Sequence, residues 1–207
     1  MEKTTRAAFA LLLAASTPGV LAASSADLSV TGSITPSSCT PRLSNDGVID
    51  HGKLTAKDLE KVRPTLLDPA EMQLEVICEG ATFFTLTTFD NRAGTSAINA
   101  AHHGLGMTNN EQKLGSVAFS LFEPVADALA VKTIVSRNGG ANWVVNPYLG
   151  HEALTSFAAA DGPNTPIAIE VLNARLRAFT IIVPSKDLTV VDEVPIDGQA
   201  TLQLKYL

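Results

Sequence analysis

Alternation of apolar and polar residues with a period of two is the clearest pattern in this chain, and residues 26–35 follow it most strictly. In an extended strand such alternation places all the apolar side chains on one face. The positions on this face are Ala26, Leu28, Val30, Gly32 and Ile34. Pro36 ends the ladder because it has no amide hydrogen to donate. The pattern predicts a first strand with one buried face, leading to Cys39.

The same alternation recurs further along the chain. Residues 72–78 predict a strand that carries Cys78 inward, and residues 83–89 have large side chains on both faces, which predicts a central strand. Residues 117–122, 166–172 and 176–183 are short β-rich runs. In the last segment, residues 199–207, one face is apolar. Its members are Ala200, Leu202, Leu204 and Tyr206.

Helical patterns are few. Residues 54–59 predict a short helix because Thr55 can cap it with Asp58 three residues later, and residues 152–160 predict a second one. Residues 95–112 and 135–166 predict long loops. Seven or so short strands, little helix and no internal repeat are typical of an all-β sandwich.

The first 22 residues have the layout of a secretory signal peptide. Lys3 and Arg6 precede an apolar run over residues 7–15, and small residues lead to Ala22. The run is too short to span a bilayer, although retention as an N-terminal anchor is an alternative. We therefore expect residues 23–207 to form one exported domain with no membrane span.

The net charge is −6, and it becomes −7 when the predicted signal peptide is removed. An acidic chain without a cluster of Lys and Arg argues against nucleic acid or anionic lipid as a partner. Only two cysteines occur, Cys39 and Cys78. In an oxidising compartment such a pair usually forms a disulfide, whereas free buried thiols are the alternative.

Sequence motifs for catalysis are missing, so we expect no enzyme, no cofactor and no metal site. The adjacent His102 and His103 favour a solvated loop pair over metal ligands. Arg175 and Arg177 would share one strand face and favour a solvated sheet face over an anion site. Trp143 and Tyr148, in a loop rich in Gly and Asn, are candidates for stacking on a sugar.

Three motifs together carry a family resemblance: residues 28–39, residues 76–78 and residues 196–207. In this order, with a signal peptide before them and a penultimate tyrosine at the end, the chain resembles a pilin-type subunit of the bacterial chaperone–usher pathway. More narrowly, it is similar to a group of exported fimbrial-like proteins catalogued as a domain of unknown function.

The resemblance implies an immunoglobulin-like sandwich that lacks its last strand. A periplasmic chaperone, and then the N-terminal segment of another fimbrial subunit, would supply that strand. The donor strand would come from residues 23–35, with Leu28, Val30 and Ile34 as the donor side chains and Gly32 where the two backbones approach closely. The strand over residues 199–207 would be one wall of the acceptor groove, at Ala200, Leu202, Leu204 and Tyr206. A Cys39–Cys78 bridge would join the first strand to the second.

The resemblance also implies a function at the periplasm and cell surface, as a structural or adhesive subunit of a fimbrium that could bind a host or surface glycan. A tip subunit, a minor subunit and a self-complemented monomer are open alternatives. A soluble periplasmic or secreted β-sandwich that binds carbohydrate or another ligand through Trp143 and Tyr148 is the second function that the sequence supports.

Overall fold

The structure is a computed structural model that describes residues 27–32 and 38–207. The chain divides into two units, Met1–Ile34 and Thr35–Leu207. In the first unit, residues 27–32 have no regular secondary structure and are exposed, so the strand with one buried face that the alternation predicts over residues 26–35 is wrong for the described part of that segment. In the second unit nearly all regular structure is β-strand, which confirms the predicted all-β class. No helix in the described residues is long and apolar enough to cross a bilayer.

Twelve strands lie in the described part of the second unit. They are β1 (Cys39–Leu43), β2 (Thr65–Leu66), β3 (Ala70–Thr82), β4 (Phe84–Asp90), β5 (His103–Gly104), β6 (Gly115–Ala126), β7 (Leu129–Ser136), β8 (Val144–Val145), β9 (Tyr148–Leu149), β10 (Leu154–Ala159), β11 (Ile169–Ile182) and β12 (Ala200–Tyr206).

The longer strands form one antiparallel path in the order β1-β3-β11-β6-β7-β10-β4-β12. Its two halves are two layers, and the β6–β7 hairpin joins them through the pairs Val125 with Ala130 and Ala126 with Leu129. The short strands β2, β5, β8 and β9 pair alongside β11, β6, β7 and β6 respectively. The path begins at β1 and ends at β12, so these two strands are its terminal edges.

The core lies between the two layers, and the period-two pattern of the strands builds it. From the first layer, Leu74 of β3 and Leu172 of β11 are fully buried; from the second, so are Leu86 of β4 and Phe157 of β10. Each such side chain contributes about 1.5–3 kcal/mol of transfer free energy. The predicted inward face of residues 72–78 is confirmed, because Cys78 is buried as well.

Both predicted helices are wrong. Residues 152–160 contain strand β10, which pairs with β7 over six residues and with β4 at Thr155, so pairing with neighbouring strands overrides the local preference. At residues 54–59 the capping contact forms, since Thr55 donates its amide and hydroxyl to Asp58 at 2.7 and 2.8 Å, but the segment is a turn. The short helices of the described chain are 3-10 turns, Ser44–Gly47 and Ser185–Asp187.

Further predictions need correction. The loops predicted over residues 95–112 and 135–166 contain strands, namely β5, which pairs with β6, in the first and β8, β9 and β10 in the second. The runs 166–172 and 176–183 are parts of one strand, β11, rather than two strands separated at Asn173. Asn173 instead marks a change of register against β6, between Asn173 and Arg175, which the ladder accommodates without ending.

Candidate functional site

The gap between β1 and β12, hereafter the seam, is where the sandwich is incomplete. β1 pairs with β3 and β12 pairs with β4. Within residues 27–32 and 38–207 no strand pairs with the other edge of either one. Unpaired edges present rows of amide and carbonyl groups to solvent and are templates for pairing with another chain.

A cavity of about 450 Å³ opens at the seam and reaches core side chains. Met72 and Leu176 come from the first layer, and Thr88 comes from the second. Leu43 of β1 and Leu202 of β12 form the rim, and both pack against the main hydrophobic cluster. Within the described residues, the seam therefore combines an opening into the core with backbone edges that no strand pairs with.

The register of β12 on β4 determines which of its backbone groups face the seam. The Leu207 amide donates to the Phe83 carbonyl, and the Asn91 amide donates to the Gln199 carbonyl. In an antiparallel ladder bonded positions alternate, so the odd-numbered residues of β12 face β4. The amides and carbonyls of the even-numbered residues face the seam. These are Ala200, Leu202, Leu204 and Tyr206, the same four residues that the sequence places on the apolar face.

The edge of β1 is a poorer template. The Glu79 amide donates to the Ser38 carbonyl at 2.9 Å, so the odd-numbered residues of β1 face the seam. Of these, Pro41 has no amide hydrogen, and the Cys39 amide already donates to Oη of Tyr206 at 3.0 Å. An incoming strand would find its continuous row of partners on β12.

A second cavity, of about 500 Å³, adjoins the first and shares Ile49, His51 and Ile196 with it. It lies between two irregular segments, residues 49–59 and 188–196, and its floor includes Leu114 and Ile182. The exposed ion pair Lys53–Glu193, at 3.2 Å, links the two segments. Together the two cavities form an opening that continues from the seam past Ala200, the first residue of β12.

The disulfide predicted from the two cysteines is present between Cys39 and Cys78. The two residues are directly opposite each other in the β1–β3 ladder. The bridge thus fixes β1, one wall of the seam, to the centre of the first layer.

The predicted donor residues are described only in part. Leu28 and Val30 are 93% and 91% exposed, and Gly32 has no atom within 4 Å of where a Cβ would stand. Ile34 lies outside the described residues, as does the predicted signal peptide over residues 1–22.

The candidate sugar-stacking residues are held by different contacts. Tyr148 donates its hydroxyl to the Ala101 carbonyl at 2.6 Å, and the Arg137 guanidinium lies over its ring at 4.8 Å. Burial raises the pKa of the Tyr148 hydroxyl. Trp143 is half-buried beside Gly140. One ring face and the hydroxyl of Tyr148 are thus engaged within the chain, which leaves less of it to stack on a ligand.

The prediction that His102 and His103 are a solvated pair is wrong for His103. This residue is 1% exposed, its Nε2 lies 2.7 Å from the Thr88 hydroxyl, and its ring packs against Phe119 and His151. Burial lowers its pKa to about 4, and His151 adds to this effect. Nothing in the local sequence signals this burial, because it arises from the pairing of β5 with β6. Among the described residues no three His, Cys, Asp or Glu form a metal-binding group.

Arg175 and Arg177 lie on the same face of β11, as predicted, and both contact carboxylates of neighbouring strands. Arg175 pairs with Glu123 at 2.7 Å and with Glu71 at 3.5 Å, and Arg177 also pairs with Glu71. The face is therefore a mixed ionic surface, and the chain itself supplies the anions.

Comparisons with known proteins find a domain of unknown function over part of the chain and distant relatives over nearly all of it. Residues 28–103 match a family model described as "Protein of unknown function (DUF1120)". The Escherichia coli K12 protein GltF is 25% identical over 250 aligned positions, which cover 98% of this chain and 97% of GltF. "Uncharacterized protein YhcF" of the same organism is 23% identical, over 95% of this chain and 98% of YhcF. The matched model spans the N-terminal segment, β1, β3 and β4, and includes both cysteines.

Proposed function

We propose that this protein is an exported, fimbrial-like subunit, structural or adhesive, whose seam is completed by a β-strand from another protein. A periplasmic chaperone supplies the strand first, and the N-terminal segment of a neighbouring subunit then replaces it. The observation that carries the proposal is the seam itself, where β12 has an edge that no strand of the described residues pairs with, beside an opening into the core.

Strand addition satisfies both deficits of the seam at once. An extended segment pairs its backbone with the even-numbered groups of β12, and its alternate side chains enter the cavity. Each fully buried Leu, Val or Ile contributes about 1.5–3 kcal/mol. A ligand that filled only the cavity would leave the backbone amides and carbonyls of the β12 edge without partners.

The chain carries a segment of suitable pattern. Residues 28–34 present an apolar side chain at each alternate position apart from Gly32, as a strand that pairs with an edge and fills a cavity would. Leu28 and Val30 are exposed in the isolated chain, so they are available to a neighbour. Because donor and acceptor are different surfaces, the contact is heterologous and propagates into an open chain of subunits.

The disulfide supports export to an oxidising compartment, since such bridges are rare in the cytosol. It also holds β1 in place on β3, while no strand of the described residues pairs with the other edge of β1. The seam would otherwise be the first place for the sandwich to open.

The test compares the oligomeric state of three forms of the full exported chain by size-exclusion chromatography with light scattering. They are the wild type, the apolar-face variant Leu28→Asp/Val30→Asp and the polar-face control Ser29→Asp/Thr31→Asp, which adds the same charge. We expect oligomers that grow with concentration for the wild type and the control, and monomers for the apolar-face variant. Identical distributions for all three would contradict the proposal.

A further inference from the structure

A side chain of β12 itself crosses the seam at its Cys39 end. Tyr206 Oη accepts a hydrogen bond from the Cys39 amide at 3.0 Å, joining the last strand to the first across 167 residues of sequence. The Cys39 amide is one of the β1 groups that face the seam. Tyr206 therefore occupies a bonding position that an inserted strand would otherwise meet.

The opposite end of the seam is open. Leu43 of β1 and the first half of β12, at Ala200 and Leu202, line the 450 Å³ cavity. Tyr206 is absent from that lining, although its backbone faces the seam as those of Ala200 and Leu202 do. The seam thus has an open end at Ala200 and a closed end at Tyr206.

The crossing by the Tyr206 side chain limits the room for an incoming strand at this end of the seam. Paired strands lie about 4.8 Å apart, so one inserted strand needs roughly twice that distance between β1 and β12. At the closed end the Tyr206 side chain lies within that width and is anchored on both sides, by its own backbone and by the Cys39 amide. An inserted backbone and this side chain cannot occupy the same space.

We propose that Tyr206 is the stop of the seam: it ends the inserted strand at Leu204 and so sets the register of the insert. This inference rests on the proposed strand addition. The insert pairs with Ala200, Leu202 and Leu204 only, and any additional length extends past Ala200 towards the second cavity. Tyr206 is a positioning residue, because it selects which donor side chain meets which part of the cavity.

Amide hydrogen exchange, measured by NMR on the full chain, tests this inference. The protein that receives the strand carries Leu28→Asp/Val30→Asp, so that its own N-terminal segment does not compete for the seam; it is called the receiver. The probe is a synthetic peptide of residues 23–35. We expect the peptide to slow exchange at least tenfold at Leu202 and Leu204 and to leave the Tyr206 amide unchanged. Thr201, Gln203 and Lys205 already face β4 and serve as internal controls.

The same measurement on Tyr206→Phe and Tyr206→Ala removes first the hydrogen bond and then the ring. In Tyr206→Ala the protection should extend to the amide of residue 206. Tyr148→Phe, which loses the hydroxyl of a tyrosine away from the seam, should behave as the wild type does. Protection of the residue 206 amide in the receiver with Tyr206 intact, or no such protection in Tyr206→Ala, would overturn the proposal that Tyr206 ends the inserted strand. Absence of protection at Leu202 and Leu204 would instead contradict strand addition itself.

Discussion

Cys39 shows how much a single residue can determine in this fold. Its side chain bridges to Cys78, its backbone faces the seam, and its amide bonds to Tyr206. The first of these features follows from the cysteine count, since a secreted chain with two cysteines usually joins them. The other two depend on the register of β1 against β3, which no local pattern contains.

Removal of the disulfide should destabilise the domain. A loop of 39 residues gives about 4 kcal/mol in the chain-entropy model, because the bridge restricts the unfolded chain. We expect the double variant Cys39→Ala/Cys78→Ala to lose up to this amount in urea unfolding. The reduced wild type is the control and should match the double variant. An unchanged urea midpoint would show that the bridge contributes nothing to stability.

His103 should make stability depend on pH. Its pKa falls from 6.5 to about 4 in the folded protein because burial disfavours the charged ring, with a small opposing effect from Asp90. As the pH falls, the unfolded chain therefore takes up a proton on this ring before the folded protein does. The stability that the neutral, buried ring contributes is fully present above pH 6.5 and is lost as the pH falls towards 4. We expect the free energy of unfolding to decline by up to about 3 kcal/mol over this interval.

The variant His103→Gln provides the comparison for that titration. It removes the ionisable ring, so its stability should decline less steeply than that of the wild type between pH 6.5 and 4. Parallel curves for the two proteins would mean that His103 is not the group responsible.

At the scale of elements, sequence patterns predicted strands well where one face is buried and the other is solvated. β3 is the best case, since its alternation predicted one buried face and Met72, Leu74, Val76 and Cys78 are all buried. β10 is the exception: Thr155, Ser156, Phe157 and Ala158 are all buried, so the segment shows no alternation from which a strand could be predicted. The seam itself is not predictable locally, because it results from the pairing order of strands far apart in sequence.

Gly32 separates the role of the N-terminal segment in folding from its role in assembly. No atom lies within 4 Å of the position that a Cβ would take at Gly32, so Gly32→Ala should leave the melting temperature of the monomeric protein unchanged. If the segment inserts into the seam of a neighbour, the added methyl should weaken a close approach of backbones and reduce oligomer formation severalfold.

Gly115 provides the contrast, because a Cβ there would lie 2.0 Å from the Ile181 carbonyl oxygen. Gly115→Ala should therefore lower the melting temperature or prevent folding. Equal melting temperatures for the two glycine variants would contradict the claim that Gly115 is needed for folding and Gly32 is not.

At the largest scale, the described part of the Thr35–Leu207 unit is an all-β sandwich whose strand path runs without a break from β1 to β12, and the two ends of that path border the seam. The disulfide holds one wall, the pairing with β4 holds the other, and Tyr206 joins them at one end. A free edge beside an opening into the core is a liability for an isolated domain and a ready site for a partner strand. In our account an extended partner strand completes the sandwich.

The melting temperature of the Leu28→Asp/Val30→Asp chain with and without a peptide of residues 23–35 tests that claim most directly. At a peptide concentration a hundredfold above its dissociation constant, binding stabilises by about 2.7 kcal/mol, which is roughly 5–10 °C for a domain of this size. We expect a rise of this order, and none with a control peptide in which Leu28, Val30 and Ile34 are replaced by Ser. An unchanged melting temperature at millimolar peptide, or an equal rise with the control peptide, would contradict strand complementation.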